Sequence, residues 1–544
     1  MRLFAGGRRA WPVEAVCRAC LAAAVAVYSV VFCRLTFGLY DHYQMMAFDL
    51  GIFDQATWLI SRGQAPFVTV RGLHLLGDHF SALLYLLAPL YWLWDSPKTL
   101  LLAQTAALAS GALPVYGLAC RRIGSAPAAL AFAAAYLLYP AMQWSNMYEF
   151  HPDTLATPLL LAAFYFLQVR RWPPYFVMLI LAALTKETAG ISIIMVGLYA
   201  LFFHRRVGGL TVALGAASVV AAMAAIRHFN GGSPSPYPLL YAHYGETLPA
   251  VASYLLRHPL AAWGALNVEP HREYLRQLLV PLLFLPLFAP EVLVLAAPAL
   301  LANLFSSDPF MHGIEEHYTA LITPFLFAAA IIGCGRLCRR GGPFVATALV
   351  VNLGLWAFGG VFWGPLVREQ KTIYPSLSAS EVREADELLS HVPPGASVSA
   401  QMALGPHLSH RAEIYTYPNP FSHNAWGGSR HALREIKSIN GAALDPSLNE
   451  KIAAAPVEYV ALCPQTISFP LSPANFSRCT TALLRSHAYG LVAVGRSTAL
   501  LRRGADHAAG LWRLEQRSGI RIRNDQDVAK AFQGWAANQP AAPN

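Results

Sequence analysis

Charge is what this chain is short of. Of its 544 residues only 13% are Asp, Glu, Lys or Arg, against 55% hydrophobic, and the mean hydropathy is +0.40. Soluble domains carry about 25% charged residues, so a soluble globular class is excluded. The eight cysteines show no metal-ligand spacing, which removes a zinc module. Cys17 and Cys20, and Cys334 and Cys338, stand beside arginine clusters and read as reduced cytoplasmic thiols. Cys463 and Cys479 lie in a polar region where a disulfide or two buried free thiols fit equally well. No internal repeat is visible, so the inverted-repeat architecture of many transporters has no support. No convincing cleavage site accompanies the first apolar run, Ala19 to Leu39. That run is also too long for a secretory h-region and reads as an uncleaved helix.

Apolar runs approaching the ~20 residues needed to cross a bilayer are what the chain has instead. The net charge of +10 comes largely from Arg in short loops. Such charge orients a membrane protein and gives no reason to expect nucleic acid as a partner. The clusters are Arg8/Arg9/Arg18, Arg121/Arg122, Arg170/Arg171, Arg205/Arg206 and Arg336/Arg339/Arg340. Placing them all in the cytoplasm predicts about eleven transmembrane helices and a cytoplasmic N-terminus. The helices fall near 16–38, 98–119, 126–142, 154–169, 174–185, 188–203, 208–226, 276–289, 291–305, 318–334 and 343–362. The run "HFSALLYLLAPLYWLW", His79 to Trp94, is short and rich in Tyr and Trp; it is expected to lie against the outer leaflet.

The expected fold class is therefore an α-helical polytopic membrane protein with a small C-terminal α/β domain outside the membrane. The transmembrane domain spans 1–370, with a first outer loop at about 40–97, and the α/β domain spans 371–503. Its strands are expected at 396–401, 413–417, 458–463, 490–495 and 498–502. Residues 504–544 read as a polar, weakly ordered tail.

This topology sorts the acids. Asp41, Asp49, Asp54, Asp78, Asp95, Glu149, Asp153, Glu187, Glu246, Glu269, Glu273, Asp308, Glu315 and Glu316 fall outside, and little beyond Glu14 and Glu291 falls inside. Acids contribute weakly to topology, so the bias points to an outward-facing polar cavity. Three loops carry the clustered groups: "FDLGIFDQ" with "LHLLGDHFS", "QWSNMYEFHPD" and "SSDPFMHGIEEHY"; the "TKE" turn shares their face. Asp49 or Asp54 is a candidate general base toward a hydroxyl, unless these acids only cap surface helices. Asp78 and His79 are candidates to hydrogen-bond each other.

Glu149, His151 and Asp153 alternate. With Asp49 they are candidate ligands for Mg²⁺ or Mn²⁺, while Asp153 also suits the N-cap of the following helix. Lys186 is a candidate phosphate ligand or half of an ion pair with Glu187 at a hairpin tip. Arg34, Arg272 and Arg276 suit phosphate less well than interface anchoring. Glu315, Glu316, His317 and Tyr318 either exploit a helix N-terminus or close the cavity over a substrate.

The runs "FDLGIFDQATWLISRGQ", "GDHFSALLYLLAPLYWL", "FHPDTLATPLLLAAFYFL", "LAALTKE", "EHYTALITPFLFAA" and "VPPGASVSAQMALGPHLSHRAEIYTYP" resemble the bacterial DUF2079 membrane proteins over roughly residues 40 to 500. The arrangement of acid loops, surface helices and an exported α/β domain resembles the GT-C superfamily, integral-membrane glycosyltransferases that include protein O-mannosyltransferases and aminoarabinose transferases. That resemblance implies a polyprenyl-phosphate-linked or -pyrophosphate-linked sugar donor, an unidentified acceptor, and work at the outer face of a bacterial inner membrane. The superfamily's first-loop acid falls by position on Asp49. Its usual Asp-Glu pair is absent, since Leu50 follows, which leaves Asp54 as a rival. The second-loop acid falls on Glu149 or Asp153. A transporter of lipid-linked glycans would place ionisable groups within the spans, and the second, third, fourth, sixth and seventh spans have almost none in their centres. A non-catalytic scaffold would lack the acids.

Overall fold

The computed structural model describes residues 10–232, 240–367, 376–421 and 448–537, apart from 456, 465, 467–470, 472, 507 and 524. Three helices among these are long and apolar enough to cross a membrane: Val13–Asp41, Lys98–Ile123 and Arg205–Phe229. Four shorter apolar helices, Ala126–Leu137, Trp172–Ala183, Ala189–Leu201 and Pro290–Phe305, join them. All fall where apolar runs were expected. Proline explains the main departure. The expected helix at 276–289 is interrupted: Glu269–Leu279 is helical, then Pro281 and Pro286 leave only 3₁₀ turns at Val280–Leu282 and Leu285–Phe288. Proline lacks the N–H and clashes with the preceding turn. The two expected spans after 318 are present as two helices that meet at a kink at Gly342 (φ 70°) within Thr323–Gly360. The segment His79–Trp94 holds only a Leu84–Leu87 helix and an Ala88–Trp92 3₁₀ turn, too short to cross, with Leu86, Trp92 and Leu93 exposed.

Basic groups gather at one end. Arg122 bonds Gln168, the backbone of Gly335 packs against Arg122, and Arg336 pairs with Glu291. At the other end lie the acidic loops and the C-terminal domain.

That domain is built on a five-stranded sheet. The first loop already contains a small hairpin, β1 (Phe67–Val68) and β2 (Leu73–His74). The sheet comprises β3 (Val398–Ala400), β4 (Ile414–Thr416), β5 (Tyr459–Leu462), β6 (Tyr489–Val494) and β7 (Ala499–Arg503), in the order β4-β3-β5-β7-β6. β3 is parallel to β4 and β5, and β7 is antiparallel to β5 and β6. The helix Ala379–Ser390 opens with a Ser378/Glu381 capping box.

The weakly ordered tail is a correction. Residues 508–518 and 525–537 are helices; the first packs on β6, the second packs on the first and on the helix Pro473–Arg485, and Leu514, Val528, Ala531, Phe532 and Trp535 are buried in the same core as β6 and β7. Val528, Ala531, Phe532 and Trp535 have helical spacing, so the signal was present but outweighed by the polar composition around it. The expected boundary at 371 and the last residues, 538–544, lie outside the described residues. Cys463 and Cys479 are both buried free thiols, in different cores.

Candidate functional site

The stretch Ala47–Gly51 forms one π-helical turn before the Ile52–Ser61 helix. Its shape is set from the second loop. Glu149 has a left-handed backbone (φ 50°), which directs its buried side chain back to this turn. One carboxylate oxygen accepts the Met46 N–H and the other the Leu50 N–H, each at 2.8 Å. Glu149 thus holds the loop that displays Asp49. Asp49 keeps 27% of its side chain exposed, and its Oδ1 lies 3.2 Å from His151 Nε2.

From His151 a buried polar cluster extends through the second loop to the "TKE" turn and His79. The His151 ring stacks on His317 with centroids 3.7 Å apart and planes 10° from parallel. Tyr148 stacks on both rings, and Tyr318 lies 4.2 Å from His317. His317 Nε2 is 3.7 Å from Asp153 Oδ2, and Lys186 Nζ donates to the same oxygen at 3.1 Å. In the same cluster, His79 Nδ1 lies 2.8 Å from Glu187 Oε1, and the Phe80 N–H donates to Glu187 Oε2. The first loop, the second loop, the "TKE" turn and "EEHY" therefore meet in one cluster.

Burial sets the protonation pattern. Desolvation raises Glu149 well above the ordinary carboxyl value, and the charge of Asp49 adds to it. Burial pushes Glu316 up to about 8 despite a bond from Tyr148, helped by Asp49. Asp153 goes the other way: burial raises it, but Lys186, His317 and His151 outweigh that and hold it well below the usual range. Glu187 is likewise held at about 2, because His79 and Lys186 overcome its burial. Burial and His151 hold His317 well below an ordinary imidazole, as expected for stacked rings that resist double protonation. Lys186 is raised because Asp153 and Glu187 outweigh its own burial.

Several expectations move. Asp54 belongs to a different network. It is fully buried, takes the Tyr91 hydroxyl at 2.5 Å, bonds Ser409, and lies 3.2 Å from His410. Asp78 takes both Nε and Nη2 of Arg71, at 2.8 and 2.9 Å, while His79 turns to Glu187. Asp153 is not an N-cap: it is the second residue of a 3₁₀ turn, Pro152–Leu155, whose cap is His151, and its carboxylate serves Lys186. Lys186 and Glu187 face different principal partners rather than forming a simple tip pair. Arg272 and Arg276 pair with Glu269 and Glu273 on the surface.

The Asp49, Glu149, His151 and Asp153 set does not fit a divalent cation. Glu149 is turned to two backbone N–H groups and Asp153 to an ammonium. Among the described residues no group of three or more His, Cys, Asp or Glu is arranged to hold a metal ion.

Two contributors were not anticipated. Gln104 Nε2 donates to the Glu149 carbonyl at 2.5 Å, and its Oε1 accepts the His151 N–H and the Thr154 hydroxyl. It fixes the second loop from inside a span, where a lone amide is itself a signal. Tyr148 packs over the histidine pair, and its aromatic character alone gave no pointer.

Over residues 40–438 the sequence matches the family described as Predicted membrane protein (DUF2079). The chain belongs to this family, and it is a multi-pass membrane protein. No curated protein matches it. Among solved structures it is similar to ArnT from Cupriavidus metallidurans in the apo state, with a TM-score of 0.51 and 14% identity, covering 90% of this chain and 99% of that one. It also matches the archaeal oligosaccharyltransferase AglB from Archaeoglobus fulgidus, in complex with an inhibitory peptide and a dolichol-phosphate. There the TM-score is 0.40 and the identity 10%, covering 85% of this chain and 70% of that one. The ArnT likeness is one of fold.

Proposed function

We propose that this chain is an integral-membrane glycosyltransferase that moves a sugar from a polyprenyl-phosphate or -pyrophosphate donor to an envelope glycan, lipid or protein acceptor. In this reading the arginine end is cytoplasmic, about eleven segments cross the inner membrane of a bacterium, and the acidic end faces outward. The observation that carries it is Asp49: a half-open carboxylate on a turn fixed by Glu149, oriented by His151, beside a buried polar cluster.

Asp49 takes the proton of the acceptor hydroxyl as that oxygen bonds the anomeric carbon. The bond from that carbon to the phosphate oxygen breaks, and the phosphate leaves with the electron pair. His151 keeps Asp49 oriented. Lys186, the cation paired with Asp153, stabilises the charge of the leaving phosphate. Glu316, protonated at neutral pH, donates a hydrogen bond to a sugar oxygen, and Tyr318 closes the same wall.

The test compares lipid-linked sugars and envelope glycans in a deletion strain complemented with wild type or Asp49→Asn. The expected result is a variant present at normal level, a polyprenyl-linked sugar that accumulates, and one glycan lacking that sugar. Full restoration by Asp49→Asn would overturn the reading.

A further inference from the structure

The turn that displays Asp49 is held from two sides, and the second side is the C-terminal domain. Residues 402–411, the "MALGPHLSHR" stretch between β3 and β4, lie directly on residues 40–55. The 3₁₀ helix Met402–His407 contains Gly405, which meets Ala47 on the π-turn. A Cβ at Gly405 would collide with the Ala47 methyl and come within 3.1 Å of Ala47 Cα. One at Gly51 would meet the Pro406 nitrogen at 3.9 Å. The His407 ring stacks on Tyr40 and on Tyr43, at 4.3 and 3.8 Å, and its Nε2 bonds the Tyr40 carbonyl. Ser409 and His410 hold Asp54, one turn beyond the π-turn. Gln55 donates to the Arg411 and Ala412 carbonyls, and the Tyr43 hydroxyl reaches Asp386 at 2.6 Å. The contact brackets the Asp49 turn on both flanks.

We infer that the 402–411 segment is a positioning element for Asp49, with Gly405 the residue whose missing side chain lets the α/β domain seat on the turn. Gly405 is required for space: Glu149 fixes the turn through hydrogen bonds on one side, and the Gly405–Ala47 contact blocks its displacement on the other. The α/β domain is thereby a structural part of the candidate site. This inference rests on the reading of Asp49 as the working carboxylate.

The test uses the full chain in nanodiscs and needs no substrate. Hydrogen–deuterium exchange is followed at residues 46–51, together with the pH profile of carbodiimide labelling at Asp49. Gly405→Ala is expected to speed exchange across 46–51 by about 10-fold, as a local opening would, and to displace the labelling profile, with β5 and β7 unchanged. Adding Ala47→Gly, which vacates the colliding methyl, is expected to restore both. Unchanged exchange in Gly405→Ala overturns the inference, as does a double variant that restores nothing. If Gly405→Ala does not fold, the double variant decides alone: a native turn upholds the contact, and a misfolded protein refutes it. Because these readouts do not involve sugar transfer, a failed glycosyltransferase reading with an intact buttress, and the converse, are told apart.

Discussion

Asp49 and Asp54 sit in one short stretch, yet the fold gives them opposite surroundings. Asp54 is closed off from solvent and saturated by Tyr91, Ser409 and His410. Asp49 is partly open, with a histidine on one side and 27% of its side chain still exposed. A saturated buried acid ties parts of a chain together, whereas an oriented and accessible one can exchange a proton with a substrate. The difference is made by a residue 102 positions away for Asp49 and by residues 37 and 355 positions away for Asp54, so the local motif could not distinguish them.

The sharpest way to break this comparison is to alter each acid in turn. Asp49→Asn is expected to lower sugar transfer by about 10²–10⁴-fold while leaving the melting temperature unchanged. Asp54→Ala should do the reverse: it strands the Tyr91 and Ser409 hydroxyls and costs about 2–4 kcal/mol, read as a lower melting temperature. Lys186→Met leaves Asp153 buried with only His317 beside it and should cost about 3–5 kcal/mol. Adding Asp153→Leu should return most of that loss in the same thermal assay.

Protonation gives a subtler contrast within the cluster. Glu187 is held at about 2, so its contribution to stability is present above its ordinary 4.5 and is lost as pH falls toward 2. Glu316 is raised to about 8, so its contribution is complete below 4.5 and is lost as pH rises through 8. Chemical-denaturation midpoints across pH should therefore flatten on the acid side in Glu187→Gln and on the alkaline side in Glu316→Gln. The smallest effect is expected at the surface. Glu269→Gln, which removes an exposed pair with Arg272, should change stability by less than about 0.5 kcal/mol.

Much of this architecture was legible from periodicity and punctuation. The five strands were readable because short apolar runs are bounded by turn residues, and each expected strand overlaps the one observed. The acid loops were legible because carboxylates cost too much in an apolar chain to be scattered without use. What escaped has a physical cause in each case. Pro281 and Pro286 are weak breakers to the eye inside a hydrophobic run, yet each removes a helical hydrogen bond. The His151–His317 stack depends on two loops meeting, and the seat of Gly405 on Ala47 joins residues that no local pattern connects. Trp535 was hidden by polar neighbours, although its helical stripe was there to count.

The most direct test of the central claim is a transfer assay with the purified protein in nanodiscs, supplied with lipid-linked sugars extracted from the deletion strain. Asp49→Asn and Asp54→Asn are compared with wild type at equal amounts of folded protein. The account predicts that Asp49→Asn loses at least about 100-fold in turnover and that Asp54→Asn stays close to wild type per folded molecule. Transfer that survives in Asp49→Asn but vanishes in well-folded Asp54→Asn would contradict it.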